Sequence, residues 1–520
     1  MSRSTRAAKS ALIIMFIILF SKSMGFIREV LIASRFGSGL ITDSYFIIYT
    51  VITIVTATLN SVFSTTLVPI FIRLEETEGH STKNQFMNNL LNITMCLTAI
   101  IACLIWIFAP FVIRIIASGF EGHVYSLTVE LVRIVIPMII FVAIASVFTA
   151  YLQSKEYFNI PAATGIPLNT IYIAYLLLMA SRYGIKGFMV AIILAQLSTV
   201  LFQLPTALRT GFRYKAILSL KDKNIKNLLF LTAPVVIGTI LQQINLAIDR
   251  SIASNLSAGS ISSLSYASKL VELIIGVFIF SLLTVLFPIL AQESGKENLQ
   301  GFKRLMGNAI TVVMLITIPV TIAGIILAKP IIEILFQRGA FNQAATEKAA
   351  AAFVFYLLGL TGIGLRDTLS KVFYSLQDTK TPLIAGATSV VLNIILNFAL
   401  VKLLDYQGLA LATSIAVTAS SVLLIISIRK KLGKIGGRQL VKNSIKVIVA
   451  TLTMGFILYI LKNKVLDYQV GFMKRAIALS AISLVGAIVY FGVCYLLRIN
   501  EIKYLGHKLF SRFKWLLKGV

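Results

Sequence analysis

Long apolar stretches recur from one end of this 520-residue chain to the other, and they exclude most ways of folding it. Each runs for about 18 to 25 residues, enough to carry an α-helix across roughly 30 Å of hydrocarbon. In lipid every backbone N–H and C=O must be bonded internally, which leaves helices or a closed barrel. The stretches lack the alternating polar pattern of barrel strands. The expected fold is therefore an all-α polytopic membrane protein of about 14 transmembrane helices. The expected spans are 10–33, 40–71, 86–112, 126–152, 160–181, 185–208, 227–254, 262–291, 306–328, 346–375, 381–403, 407–428, 443–462 and 473–498. Composition agrees: with 58% hydrophobic and 13% charged residues, no water-soluble surface can be assembled.

A formal charge of +28 would suggest a nucleic-acid partner in a soluble protein. Here topology explains it better, because basic residues gather in loops that the positive-inside rule assigns to the cytoplasm and that face anionic lipid head groups. The connection 209–226 carries Arg209, Arg213, Lys215, Lys221, Lys223 and Lys226, and 429–446 carries Arg429, Lys430, Lys431, Lys434, Arg438, Lys442 and Lys446. Both fall on the side of the basic N-terminus, as does the tail with Lys503, Lys508, Arg512, Lys514 and Lys518. Both termini are expected in the cytoplasm. Lys462, Lys464, Lys474 and Arg475 dissent by facing outward. Arg3, Arg6 and Lys9 before Ala11 to Phe20 resemble a signal peptide, but no small-residue cleavage site follows, so the segment reads as the first membrane helix. Cys96, Cys103 and Cys494 lie in apolar stretches without metal-like spacing.

An internal repeat at an offset of roughly 220 residues organises the chain. Ile32-Ala33-Ser34 recurs as Ile252-Ala253-Ser254, and Tyr151-Leu152-Gln153 with Asn169 is echoed by Ser375-Leu376-Gln377 with Asn393. Two six-helix lobes in the same orientation, 1–208 and 227–428, follow from this, joined by a basic cytoplasmic linker at 209–226. A basic loop at 429–442, two extra transmembrane helices at 443–498 and a basic tail at 499–520 complete the expected organisation.

Charges inside apolar spans are expensive, so each one is a candidate functional residue. Lys22, Arg28, Glu29, Asp43, Asp249, Arg250, Lys269 and Glu272 cannot be moved comfortably into loops. Lys22, Arg28 and Lys269 suit a phosphate, Arg through its bidentate fork and Lys through a compact charge. Lys22 and Arg28 are six residues apart, about 240° around a regular helix, so Gly25 is the expected bend that would bring them together. The structural alternative is mutual neutralisation. Lys269 and Glu272 have i, i+3 spacing, Lys22 and Glu29 could share a face, and Asp43 could cap the second helix. Asn393 and Asn397 at i, i+4, with Asp249, could offer oxygen ligands to a cation or simply bond between helices. All three histidines lie in loops or the tail, and neither an acid-x-acid metal–nucleotide pair nor a P-loop occurs. Transport without catalysis is the economical expectation, so the chain is expected not to be an enzyme.

Ser21-Lys22-Ser23-Met24-Gly25-Phe26-Ile27-Arg28-Glu29, Ile32 to Gly39 and Thr42-Asp43-Ser44-Tyr45-Phe46 strongly resemble the opening of the MurJ (MviN) lipid II flippases. Asp249 to Ser254, Tyr266 to Glu272 and Phe373 to Pro382 fit the same family, and the resemblance covers nearly the whole chain. It implies the fold of the multidrug/oligosaccharidyl-lipid/polysaccharide exporter superfamily, a cationic central cavity and alternating access. Arg28, Lys269 and Lys22 stand at the family's cavity cations, with Glu29 and Asp43 at acidic positions nearby and Glu272 beside Lys269. Lys22 and Lys269 replace arginines common there, which keeps the charge and loses the fork. A family sodium site would map to Asp249, Asn393, Asn397 and Thr413, with Asn397 standing where the pattern has an aspartate.

The implied activity is translocation of undecaprenyl-diphosphate-linked peptidoglycan precursor from the inner to the outer leaflet. Expected partners are lipid II, membrane lipids and proteins of cell-wall synthesis. Flippase activity on another polyprenyl-diphosphate saccharide would use the same cations. A drug/cation antiporter would want an acidic or apolar pocket instead.

Overall fold

The computed structural model describes residues 3–295, 299–433, 436–465 and 471–499, and they form helices without any strand. The tail cations Lys503, Lys508, Arg512, Lys514 and Lys518, and Lys434 of the basic loop, lie outside the described residues. Two compact units divide the chain. The first comprises Met1–Ser262 with Arg338–Asn342; the second comprises Ser263–Gln337 with the described residues from Gln343 onward.

The first unit holds α1 (Arg3–Phe36), α2 (Leu40–Ile107), α3 (Ala109–Ile116), α4 (Gly122–Val135), α5 (Met138–Ser154), α6 (Asn159–Ala163), α7 (Gly165–Leu178), α8 (Ala180–Arg209) and α9 (Lys223–Ser254). At its end begins α10 (Ser260–Ile274), which continues through a π-helical turn, Ile275–Ile279, into α11 (Phe280–Gly295). The second unit continues with α12 (Leu299–Ile326), α13 (Ala328–Phe336), α14 (Gln343–Leu358), α15 (Leu360–Ser375), α16 (Lys380–Leu404), α17 (Tyr406–Leu432), α18 (Gly437–Val465) and α19 (Phe472–Leu496).

Among the described residues nine segments are long and apolar enough to cross a membrane, and two bent pairs, α4 with α5 and α14 with α15, bring the number to 11. The bends, 40° and 42°, fall inside the expected spans 126–152 and 346–375. Pro137 at the first break removes a backbone donor and so interrupts the helical ladder there. The 68 residues of α2 reach about 100 Å, enough for two crossings, and non-helical backbone at Gly79 (φ 83°) interrupts them. With two crossings in α2, and with α1 and α9, whose apolar stretches are of spanning length, the inventory is consistent with fourteen crossings.

The core of the first unit lies where α2 packs on α5. Phe71 meets Tyr151 edge to face at 5.9 Å, and Phe148 meets Phe212 at 5.5 Å. Beside these rings the fully buried Lys83 donates to Glu75 at 2.7 Å, Lys155 donates to the same carboxylate, and the Lys83 ammonium lies 5.2 Å from the Tyr151 ring centroid. A buried cation is tolerable only when paired in this way.

A row of asparagines on α2 holds the basic linker. Asn84, Asn88 and Asn92 recur every four residues and so share one helical face. Asn88 Nδ2 donates to Arg213 O at 2.8 Å while its Oδ1 accepts from Lys215 N at 2.9 Å. Asn89 does the same with Ser219, at 2.9 Å and 2.7 Å, and Asn92 donates to Ile217 O at 2.9 Å. Each side-chain amide therefore replaces the peptide partner that an extended segment would find in a sheet. Arg213, Lys215 and Lys221 remain exposed.

In the second unit α18 and α19 pack on α12 around Met454, Leu458, Tyr490 and Cys494, and Tyr490 Oη donates to Leu315 O at 2.8 Å. Two of the four charges that dissented in the sequence have local partners here. Lys462 donates to Ile326 O, the carbonyl end of α12, at 2.9 Å, and Arg475 pairs with Glu333 of α13. A cation is favoured at a helix C-terminus, as Lys462 is here. In the turn before α16, Lys431 donates to Asp378 at 2.7 Å, and this bond with the Thr381 N–H brings the Asp378 carboxyl down to about 2.

Removing one rung of the asparagine row should free the linker without unfolding the helices. Asn88→Ala deletes both bonds to 213–215, and losing a buried amide partner costs about 1–3 kcal/mol. Limited proteolysis at Arg213 and Lys215 should accelerate about tenfold, while thermal unfolding in detergent moves little. An unchanged cleavage rate would show that the row does not hold the segment.

Candidate functional site

Arg28 occupies the third quarter of α1, on the face that packs against α7. Its Nη2 donates to Glu29 Oε1 at 2.6 Å and its Nη1 to Asn169 Oδ1 at 3.2 Å. The guanidinium carbon lies 5.1 Å from the centroid of the Tyr172 ring, which adds a cation–π contact. Asn169 is itself held by donating to Gly165 O at 2.7 Å. Arg28 Nε and Glu29 Oε2 are buried and find no hydrogen-bond partner among the described residues. A buried fork with an unsatisfied donor suits an anion that completes its set.

The helix does not deliver Lys22 to the same place. α1 runs unbroken from Arg3 to Phe36, so the bend expected at Gly25 is absent. A Cβ at Gly25 would stand 3.8 Å from the Asn169 amide, an ordinary contact, so the packing there does not require glycine. With a regular helix the 240° separation persists. Lys22 is exposed while Arg28 turns inward. Glu29 pairs with Arg28 rather than with Lys22.

Asp43 does not cap its own helix. α2 starts after Gly39 with no side-chain cap, and the Asp43 carboxylate reaches instead to the start of α10. Oδ2 accepts from Gly259 N and Oδ1 from Ser262 N, both at 2.7 Å. Both amides are among the donors that a helix start leaves unbonded, and negative charge is favoured at that end. The repeat reappears at the same end of the first unit. Ser34 O accepts from Ala340 N at 2.8 Å, and Ser254 Oγ accepts from Gly119 N at 3.0 Å. A Cβ on Gly339 would stand 2.3 Å from Ser34 O and one on Gly119 2.4 Å from Ser254 O, so both loops need glycine for backbone to meet backbone.

In the second unit Lys269 and Glu272 pair at 3.0 Å, the i, i+3 contact anticipated from their spacing. Asn397 Nδ2 donates to Asn393 Oδ1 at 3.2 Å, Asn393 Nδ2 to Thr413 Oγ1 at 3.3 Å, and Thr413 to Leu409 O at 3.0 Å. Asp249 belongs to α9 of the first unit. As arranged, three of the four residues of the sodium mapping bond to one another. Among the described residues no group of three or more His, Cys, Asp or Glu gathers to hold a metal. Sequence reasoning passed over Arg366, Asp367 and Lys371, which lie in α15 inside an expected span. Arg366 bonds Asp367 through Nε and Nη2 at 3.0 Å and 2.8 Å, and Lys371 lies over the Phe287 ring at 5.1 Å. Their charge inside an apolar stretch was the available signal.

Two substitutions test these assignments. Glu29→Ala leaves the Arg28 guanidinium without its counter-ion and should cost about 3–5 kcal/mol, read as a large drop in thermal stability in detergent that Glu29→Gln partly restores. Asp43→Ala removes two charge-assisted bonds at a helix start and should cost about 2–3 kcal/mol. Hydrogen exchange should then quicken at Gly259 and Ser262; unchanged exchange there would refute the cap.

A family model described as lipid II flippase MurJ matches residues 32–479. A probable lipid II flippase MurJ of Rickettsia prowazekii is 29% identical over 503 residues, covering 94% of this chain and 98% of that protein. Among solved structures, a lipid II flippase MurJ in an inward closed conformation aligns with a TM-score of 0.77 at 24% identity, over 94% of this chain and 99% of that one. An inward-facing multidrug transporter of the MATE family aligns at 0.68 with 14% identity, over 82% and 98%. These two likenesses speak to the fold. The family match, spanning most of the chain together with the inward-turned Arg28 in an apolar helix, places this protein in the MurJ family of lipid II flippases.

Proposed function

We propose that this protein carries the diphosphate and saccharide–peptide head group of lipid II across the bacterial cytoplasmic membrane by alternating access, from the inner to the outer leaflet, while the polyprenyl tail stays in lipid. Arg28 carries the reading. A guanidinium turned into an apolar bundle, with Nε unbonded among the described residues, is poised to grip phosphate oxygens. Lys22 and Lys269 contribute further charge for the diphosphate, Glu29 and Glu272 orient or neutralise the cations between cycles, and Asp43 supports the site by holding the start of α10. The two six-helix lobes, 1–208 and 227–428, are the moving bodies, the linker 209–226 joins them, and 443–498 adds the last two helices. Both termini face the cytoplasm.

No bond is made or broken in this cycle, so what drives it must act on charge or affinity. Each unit charge carried through 100 mV of membrane potential is worth roughly 2.3 kcal/mol. Release outside requires that the outward state bind the diphosphate more weakly than the inward one. The pairing of Arg28 with Glu29 supplies a competitor for the cation once the head group departs.

Complementation of a bacterium depleted of its own lipid II flippase tests the reading. The wild-type chain should restore growth, whereas Arg28→Ala at equal membrane abundance should not, and Arg28→Lys should restore it partly because charge remains without the fork. No rescue by an abundant wild-type chain would point to a different polyprenyl-diphosphate saccharide as cargo. Rescue by Arg28→Ala would remove Arg28 from the phosphate site.

A further inference from the structure

A second feature of the first unit is uncharged. Between α2 and α5 lies a cavity of about 230 Å³ lined by Asn60, Phe63, Ser146, Thr149, Ala150 and Gln153. Ser146, Thr149 and Gln153 lie at i, i+3 and i+7, so they share one face of α5. Beside the partly exposed Ile140, Phe141 and Ile144, α5 presents these three polar residues, all partly exposed as well. An unpaired hydroxyl or amide in hydrocarbon is costly, so a polar face of this kind suits a polar occupant better than lipid.

The lining is also partly pre-set. Ser146 Oγ can donate to Asn60 Oδ1 at 2.7 Å or to Val142 O at 2.8 Å, and in either case the Asn60 amide nitrogen is left to donate elsewhere. Thr149 Oγ1 donates to Gln203 Oε1 at 2.9 Å, keeping lone pairs to accept with, and the fully buried Gln203 is anchored by donating to Ala145 O at 3.2 Å. The Gln153 side chain makes no hydrogen bond among the described residues, so both its donor and its acceptor are unspent. It sits two residues before Lys155, at the end of α5 where Glu75 holds that lysine, while Ser146 lies about 10 Å farther along the helix. Phe63 adds an apolar wall.

Neutral amides and a hydroxyl around an aromatic face match the hydroxyls, acetamido groups and C–H face of a sugar ring. They do not match a peptide stem, whose carboxylates would call for cations that the lining lacks. At about 230 Å³ the cavity is smaller than the roughly 300 Å³ at which drug-sized pockets begin. It would take one ring rather than a whole head group. We propose that Asn60, Thr149 and Gln153 form a saccharide subsite that reads a neutral N-acetylated sugar of the cargo. This rests on the flippase reading above and adds to it a basis for choosing among polyprenyl-diphosphate lipids.

The full-length protein in nanodiscs, titrated with undecaprenyl diphosphate and with the same lipid bearing the disaccharide without peptide, tests this. Wild type should bind the glycolipid more tightly than the bare diphosphate. Gln153→Leu should erase about tenfold of that preference and leave the bare lipid unchanged, whereas Arg28→Ala should weaken both. If Gln153→Leu does not accumulate, Asn60→Ala supplies the same comparison. Equal binding of the two lipids by wild type, or equal loss of both in Gln153→Leu, overturns the subsite while leaving the phosphate reading standing. Failure of wild type to bind either lipid overturns that reading and the subsite with it.

Discussion

Hydrocarbon offers no hydrogen bonds and almost no screening, and everything polar in this protein is arranged around that fact. Helices satisfy the backbone within each segment. Each side-chain charge carried into a span must then find a counter-charge, a ring or an amide of its own. Arg28 has Glu29, Asn169 and Tyr172; Lys83 has Glu75 and Tyr151; Arg366 has Asp367. Lys83 and Glu75 lie between two spans and show the same rule for a buried cation outside the hydrocarbon. These clusters are stable only as sets, since a buried pair that loses one member leaves the other uncompensated. A transporter can use this dependence: a cation whose set is incomplete will accept an anionic head group, and the internal partner can reclaim it afterwards.

The same economy of polar groups shapes the turns. Asp43 lends its carboxylate to a helix start more than two hundred residues away, and the asparagines of α2 lend their amides to an extended linker. Both act on backbone rather than on side chains, so they fix the course of the chain and leave the neighbouring cations available. The close loops at Gly119 and Gly339 follow the same logic, with carbonyls and amides meeting where a Cβ would not fit. The repeat of Ile-Ala-Ser segments is thereby matched by a repeat of contacts.

The helical class and the membrane-spanning character were readable from the chain. Apolar run length reports directly on bilayer thickness, and a charge in such a run stands out whatever its surroundings. Spacing served well where partners lie within one helix, as with Lys269 and Glu272. It failed where a partner comes from elsewhere. Asp43 looked like a local cap because its distant amides are invisible in a linear reading, and Gly25 looked like a bend because glycine permits one without requiring it. The partners of Lys462 and Arg475, a carbonyl and a carboxylate on other helices, were likewise invisible in that reading.

The sequence by itself determined that this chain lives in a membrane as helices and that Arg28 and its neighbours carry unusual charge there, since hydropathy and charge are properties of residues and need no partner to be expressed. Only the tertiary structure decided which way those charges turn and what each one meets. An unbroken α1 sends Arg28 inward to Asn169 and Tyr172 and leaves Lys22 exposed, and the packing of α5 on α2 opens its polar face onto a cavity. Those outcomes depend on the approach of helices far apart in the chain, and the energy of a buried polar group is set by what it touches.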